Sequence, residues 1–199
     1  MPMSLYNMPQ GILLRPFSLA DSEALLALRL TNRESHAPYE PLHGDSFFTL
    51  EEQQEYIRQK LRQAEEDRGY SFGIFLLEDE RLIGYISISN LVRGVGQFAD
   101  IGYMMDQHEQ GKGHMTAALK LTIQFAFRAL SLHRLQAGTL LHNERSQRVL
   151  QKCGFQPEGI ARKLVQIQGT WQDHRMFGLL AEDNVWQTWT ATPSAQSHI

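Results

Sequence analysis

The feature that most constrains this chain is a predicted strand, a glycine-containing loop and a long predicted helix in direct succession. Residues 98–105 favour a strand, and the apolar spacing of residues 116–130 is typical of a core helix. Gly111 and Gly113 lie between them, on either side of Lys112. Glycine lets a ligand approach backbone N–H groups, and a helix start adds unpaired N–H groups and a positive dipole end. This succession therefore indicates a phosphate-binding loop.

Strand and helix patterns alternate along most of the chain, so the sequence predicts a mixed α/β fold. Its 199 residues suit one domain with a sizeable core. We predict that domain over residues 11–183, with a flexible N-terminal segment at 1–10 and a C-terminal tail at 184–199. Residues 168–170 (QGT) predict a hairpin turn. The predicted strands lie at 11–16, 70–77, 82–90, 98–105, 135–141, 155–166 and 171–181.

The composition is that of an ordinary globular chain, with 42% hydrophobic and 21% charged residues. The formal charge of −3 gives no global reason to expect a nucleic-acid partner. Cys153 is the only cysteine, which excludes an intramolecular disulfide. No apolar run approaches the roughly 18 residues of a membrane span. We expect a cytoplasmic protein with no membrane partner and no direct nucleic-acid partner.

Taken alone, the two loop glycines also fit an ordinary turn, and they match neither a Walker loop nor a dinucleotide fingerprint. Residues 110–115 (QGKGHM), however, resemble the Q/R-x-x-G-x-G/A acetyl-CoA loop of the GNAT acetyltransferase superfamily, with Met115 at the last position. Residues 143–146 (NERS) and 152–159 (KCGFQPEG) resemble the N-x-x-S…K-x-G-F-x-x-E-G signature of its RimJ/RimL branch. Residues 168–174 (QGTWQDH) are similar to the hairpin of ribosomal-protein alanine N-acetyltransferases.

The resemblance implies the GNAT fold, a twisted mixed sheet of about seven strands flanked by helices. Its fourth and fifth strands, here 98–105 and 135–141, would splay apart so that acetyl-CoA inserts between them. Backbone groups of Met104 and Met105 would pair with the pantetheine arm, and loop amides would hold the pyrophosphate. The implied cofactor-binding residues are Met104, Met105, Gln110, Gly111, Lys112, Gly113, His114, Met115, Asn143 and Ser146.

An amine that attacks an acetyl thioester directly must lose a proton, and the departing thiolate must be stabilised. Glu40 and Asp100 are the candidate bases, because Glu40 would border the acceptor groove and Asp100 lies on the splayed strand. Alternatively, Glu40 orders its loop and Asp100 is a solvated strand carboxylate. We expect no metal site, since His108 and His114 lack ligand partners at suitable spacing.

The leaving-group side departs from the superfamily pattern. Many members carry a tyrosine as general acid where this chain has Leu150. Ser146, one helical turn earlier, is the candidate to donate a hydrogen bond to the sulfur instead. The alternative is a first-turn serine that binds backbone. Asn143 is expected to cap the helix, which is compatible with cofactor contact.

The resemblance implies an N-acetyltransferase that moves acetyl from acetyl-CoA, its co-substrate, to a primary amine. The acceptor expected first is the N-terminal α-amine of a protein, for instance a ribosomal protein. The alternatives are a small-molecule amine and a non-catalytic CoA-binding module. Residues 31–48 and the hairpin at Gln168 are expected to select the acceptor. Monomer and homodimer both remain open.

Overall fold

The structure is a computed structural model that describes residues 4–189. Its centre is an eight-stranded mixed sheet in the order β1-β2-β3-β4-β5-β6-β8-β7, flanked by helices. Within residues 4–189, no helix is both long and apolar enough to cross a membrane. The strands are β1 (Leu5–Asn7), β2 (Ile12–Pro16), β3 (Tyr70–Leu76), β4 (Leu82–Val92), β5 (Phe98–Met105), β6 (Arg134–Leu140), β7 (Gln156–Ile167) and β8 (Thr170–Leu180). The α-helices are α1 (Ser22–Thr31), α2 (Arg33–His36), α3 (Leu50–Glu65), α4 (His114–Arg128) and α5 (Glu144–Lys152).

The sheet splits between β5 and β6, as predicted for those two strands. They run parallel and pair only from Phe98 to Asp100 on one side and from Arg134 to Gln136 on the other. β5 continues to Met105 without β6 as its partner, while β6 stays paired with β8 along its whole length. The unpaired edge of β5 therefore faces an opening in the middle of the sheet.

Two apolar clusters hold the helices against the two faces of the sheet. The larger lies under α4 and α5 and contains fully buried side chains such as Ile123 and Leu150. The smaller lies under α1 and α3 and contains Leu25, Ile57 and Met104. Burying one such side chain contributes about 1.5–3 kcal/mol, so both helix layers are fixed relative to the split.

The helix of the predicted phosphate loop begins earlier than the predicted residue 116. Gly113, with φ of 93°, is the N-cap, and α4 starts at the next residue. The positive φ turns the chain directly from the loop into the helix, a conformation that favours glycine. Loop and helix are therefore closer than the apolar spacing indicated, which brings the helix N-terminus into the loop itself.

The fold extends past both predicted domain boundaries: within the segment predicted to be flexible, 1–10, residues 5–7 form a strand and residues 8–10 a short 3-10 helix, while residues 1–3 lie outside the described residues. Leu5–Asn7 pairs with β2, because Gly11, with φ of 62°, allows the chain to reverse tightly. At the other end, Trp186 Nε1 donates to the Ala181 carbonyl at 2.9 Å. Gln124 on α4 donates to the Trp189 carbonyl at 3.0 Å, so the predicted tail packs on the domain as far as residue 189. The rest of that tail, 190–199, lies outside the described residues.

The predicted hairpin near the carboxyl end is confirmed. Gln168 and Gly169, with φ of 46° and 76°, form the turn between β7 and β8. Two consecutive positive φ angles match the turn type that suits the twist of paired strands. The turn carries the hairpin tip back toward the loop that follows α2, where Gln168 Nε2 donates to the Glu40 carbonyl at 3.3 Å.

Candidate active site

The split in the sheet opens into a cleft of about 890 Å³. This size falls within the roughly 300–1,000 Å³ of small-molecule and cofactor pockets. Residues of β5 and β6 form its sides, and the loop before α4, the face of α5 and the segment after α2 complete it. Each wall offers different chemistry.

The backbone of β5 presents alternate residues to the cleft. The Asp106 N–H donates to the Ile83 carbonyl of β4 at 2.8 Å, which fixes the hydrogen-bonded pairs of the β4–β5 ladder. In that register Met104 points its own N–H and C=O to β4, whereas those of Tyr103 and Met105 point toward the opening. The Met104 backbone therefore does not face the opening, unlike what was predicted for it, whereas the Tyr103 backbone does, beside that of Met105.

The predicted phosphate loop lies at one mouth of the cleft. Gly111 and Gly113 both have positive φ, 79° and 93°, so the loop conformation itself requires them. Gln110 ties the loop to both neighbouring walls: its Oε1 accepts from Arg145 at 2.7 Å, and its Nε2 lies 3.4 Å from the Met105 carbonyl. Five of the six loop residues from 110 to 115 line the cleft.

Lys112 is the loop residue that does not line the cleft. Its Nζ donates to Glu109 Oε2 at 2.9 Å, and Arg81 Nη2 donates to the other oxygen of that carboxylate at 2.7 Å. The bond from Arg81, followed by that from Lys112, lowers the pKa of the buried Glu109. Because Lys112 is held by Glu109, its charge is not placed at the cleft, although the resemblance implied that Lys112 binds the cofactor.

Two polar atoms in the cleft wall have no hydrogen-bond partner within residues 4–189. They are His114 Nδ1, at the first position of α4, and Thr139 Oγ1, on β6. Burial lowers the pKa of His114, so its ring is neutral at neutral pH. An unpaired buried polar atom costs about 1–3 kcal/mol, so both atoms favour a ligand that supplies a partner.

The start of α5 brings Ser146 into the cleft. Asn143 Oδ1 accepts from the Ser146 backbone N–H at 3.1 Å, which confirms the predicted cap. The Ser146 hydroxyl lies 2.8 Å from the hydroxyl of Tyr103. Leu150 is fully buried in the larger apolar cluster. Tyr103 was not predicted from the sequence, where its only signal is that it alternates with Ile101 and Met105 along β5.

The cationic side chains that line the cleft all lie on α5. They are Arg145, Arg148 and Lys152, whose spacing places them along one side of the helix, next to the phosphate loop. Lys152 entered the sequence prediction only as part of a motif, and the two arginines were assigned no role. Their spacing of three and four residues is the signal that identifies a shared basic face.

The opposite wall carries a carboxylate among other polar side chains. Ser35, His36, Tyr39 and Glu40 line it, together with His174 of β8. Burial raises the pKa of Glu40, while the nearby Arg29 cation opposes that shift. Since Gln168 binds the Glu40 backbone, the two segments predicted to select the acceptor meet at this wall.

Asp100, the second predicted base, does not line the cleft. Its carboxylate accepts from Asn90 Nδ2 and from Gln136 Nε2, each at 2.7 Å. Asp100 and Gln136 form the last pair of the β5–β6 ladder. The carboxylate therefore fastens the closed end of the split, and the structure separates it from the opening where chemistry would occur.

Comparisons with known proteins agree with this architecture. Residues 12–156 match the family model described as acetyltransferase (GNAT) domain. The chain is 42% identical over 173 residues to the Bacillus subtilis protein named probable N-acetyltransferase YjcK, covering 87% of this chain and 96% of that protein. It is 32% identical over 152 residues to an Escherichia coli protein named as the alanine N-acetyltransferase of ribosomal protein uS5, covering 76% and 78% respectively. The structure of Mycobacterium smegmatis RimJ in complex with CoA-disulfide superimposes with a TM-score of 0.84 at 29% identity, covering 92% of this chain and 88% of that one.

Proposed function

Because this chain belongs to the GNAT acetyltransferase family and is an acetyl-CoA-dependent N-acetyltransferase, we propose that its acceptor is the N-terminal α-amine of a protein. The observation that carries the proposal is the division of charge in the cleft. Glu40 lies on one wall, and the basic face of α5 lies beside the phosphate loop, where the other carboxylate that lines the cleft, Glu109, is bound by Arg81 and Lys112. Such a cleft suits an anionic donor at one end and a cationic amine at the other.

The loop and α5 are the proposed cofactor site. When bound, acetyl-CoA supplies an activated acetyl thioester. Backbone groups from Gln110 to Met115 would hold the pyrophosphate, and Arg145 would add charge next to them. The free edge of β5 at Tyr103 and Met105 would hold the pantetheine amides in place of a neighbouring strand. The unpartnered His114 Nδ1 and Thr139 Oγ1 fit such a polar ligand.

Glu40 is the proposed base. A peptide α-amine has an ordinary pKa of about 7.7–8.0, so a large part is already neutral near that pH and modest help suffices. A carboxylate that takes the proton directly or through one water provides that help. The raised pKa of Glu40 makes it a better proton acceptor than an exposed glutamate. Asp100 is not proposed for this role, because its oxygens are held outside the cleft.

The same wall favours a peptide over a free amino acid. The α-carboxylate of a free amino acid would be placed close to Glu40 and repelled, whereas a peptide carries a neutral amide at that position. The hairpin tip at Gln168 contacts the loop around Glu40, so both segments would contact the residues that follow the amine. The E. coli relative is named as an alanine N-acetyltransferase of ribosomal protein uS5, which supports a protein as the acceptor.

The test is a panel of amines assayed for thiol release from acetyl-CoA. We expect the highest kcat/KM for short peptides with a free N-terminal alanine or serine, and no release with the same peptides blocked at the α-amine. Free alanine serves as the matched small acceptor, and spermidine represents a cationic small amine. A kcat/KM for spermidine above that of every peptide would favour the small-molecule alternative and contradict the proposal.

A further inference from the structure

We propose that Tyr103 is a positioning residue for departure of the thiolate, because its hydroxyl orients Ser146 Oγ toward the leaving sulfur. The proposal rests on the acetyl transfer proposed above. It concerns departure of the thiolate, the half of the reaction in which many members of the superfamily use a tyrosine. This chain has Leu150 at that position, and the leucine side chain cannot donate a hydrogen bond. The two hydroxyls come from different elements, β5 and α5, and meet only because the sheet is split between β5 and β6.

The Ser146 hydroxyl is free for this role because the helix cap is made by another residue. Asn143 Oδ1 accepts from the Ser146 backbone N–H, so the serine side chain is not used to satisfy the start of α5. Among residues 4–189, Tyr103 is the hydrogen-bond partner of Ser146 Oγ, at 2.8 Å. Both residues line the cleft.

Either hydroxyl could donate in this hydrogen bond, and the proposal assigns the donor role to Tyr103. Burial is the main cause that raises the pKa of Tyr103, so its hydroxyl keeps its proton and can donate. The backbone carbonyl of Ser146 is a competing acceptor, but it is more distant at 3.3 Å. When Tyr103 donates to Ser146 Oγ, the serine hydrogen is released to point into the cleft.

The bond changes then balance without a covalent role for Tyr103. The amine lone pair forms the new C–N bond to the acetyl carbon, and the C–S bond breaks with its electron pair going to sulfur. The attacking amine is neutral, so its nitrogen becomes cationic as the C–N bond forms, and the proton that it then loses passes to Glu40. Ser146 donates a hydrogen bond to the developing thiolate, Tyr103 keeps its proton, and solvent later protonates the released thiolate.

The expected loss of kcat in each variant depends on how close the removed hydroxyl lies to the leaving sulfur. Removing a donor that contacts developing negative charge costs about 10²–10³-fold in kcat, which we expect for Ser146→Ala. Tyr103 acts one hydrogen bond further away, where a neighbouring bond strengthens the first only in part. For Tyr103→Phe we therefore expect a loss of roughly tenfold in kcat, with little change in KM for acetyl-CoA.

The experiment combines Tyr103→Phe, Ser146→Ala and the double variant, assayed with the best peptide acceptor. If Tyr103 acts through Ser146, the double variant is no slower than Ser146→Ala alone. Tyr70→Phe is the matched control, since Tyr70 donates to Asp67 at 2.9 Å and does not line the cleft. It should lose similar stability and retain its kcat.

Two results would overturn the inference: a Tyr103→Phe kcat equal to that of the Tyr70→Phe control, or fully multiplicative losses in the double variant. Ser146→Thr keeps a hydroxyl beside Tyr103, so this variant should recover part of the activity lost in Ser146→Ala. A Ser146→Thr variant as slow as Ser146→Ala would also contradict the inference. This variant leaves Tyr103 unchanged and tests the serine donor if Tyr103→Phe does not fold. An unmodified protein that transfers acetyl to no amine would instead refute the proposed function.

Discussion

Gly113 offers the sharpest test of the phosphate loop, because its backbone conformation and its place at the start of α4 are both defined. Its φ of 93° lies where side chains other than glycine are strained. A Cβ atom would also lie 2.9 Å from Gln10 Oε1, the movable end of a side chain, so the strain dominates over the contact. We expect Gly113→Ala to cost about 1–2 kcal/mol in the conformation that aims the loop amides. At about 1.4 kcal/mol for each tenfold, that is roughly a five- to thirtyfold rise in KM for acetyl-CoA.

The assay is the initial rate of thiol release against acetyl-CoA concentration at saturating peptide. Gly94→Ala is the control, since Gly94 also has a positive φ, 65°, and a Cβ atom added there would meet no other atom of residues 4–189 within 4 Å. It lies between β4 and β5 and does not line the cleft. Both variants should lose similar thermal stability. If Gly113→Ala raises KM for acetyl-CoA no more than Gly94→Ala does, the assignment of this loop to the cofactor phosphates is refuted.

Three further predictions concern the walls of the cleft. Glu40→Gln should lower kcat about 10²-fold or more, because the neutral amide cannot accept the proton. It should also remove from the acid limb of the pH–rate profile the step that belongs to Glu40, and leave the step that belongs to the α-amine, whose ordinary pKa is about 7.7–8.0. In the unmodified enzyme the Glu40 step should lie above the ordinary glutamate pKa, since burial raises the pKa of Glu40. A Glu40→Gln profile with an unchanged acid limb would exclude Glu40 as the base. Asp100→Asn should leave kcat/KM unchanged, since Asp100 binds Asn90 and Gln136 outside the cleft. A loss of kcat as large as that of Glu40→Gln would instead indicate that Asp100 acts in the reaction. Thr139→Val should raise or preserve the melting temperature of the ligand-free protein but reduce the stabilisation by CoA by about 1 kcal/mol, as measured by thermal unfolding with and without CoA; equal stabilisation by CoA in both proteins would remove Thr139 from the cofactor site.

Local signals in the sequence carried the prediction of the loop and its helix. Glycines at 111 and 113 and the apolar spacing after them are properties of neighbouring residues, so they can be seen without the fold. The Asn143 cap and the turn at Gln168 can also be predicted without the fold, because each involves residues that lie within a few positions of each other. Family resemblance then supplied the split between β5 and β6, which no local pattern indicates.

The remaining features depend on register and on pairs distant in sequence. Whether Met104 or Tyr103 turns its backbone to the cofactor depends on which β4–β5 pairs exchange hydrogen bonds, and a shift of one residue reverses the answer. The Tyr103–Ser146 pair joins residues 43 positions apart across the split. Lys112 lies only three positions from Glu109, but the Glu109 carboxylate also binds Arg81, which is 28 positions away, and no local pattern indicates that contact. These are properties of the assembled fold rather than of any segment.

The central claim is that this enzyme transfers acetyl to the α-amine of a protein N-terminus positioned at Glu40. The most direct measurement uses one short peptide that carries both a free N-terminal alanine and an internal lysine, incubated with acetyl-CoA and the enzyme. Tandem mass spectrometry of the product then locates the acetyl group. We predict acetylation of the α-nitrogen, with a strong loss of product in Glu40→Gln. Acetylation of the lysine ε-nitrogen instead, or equal product with Glu40→Gln, would contradict the claim.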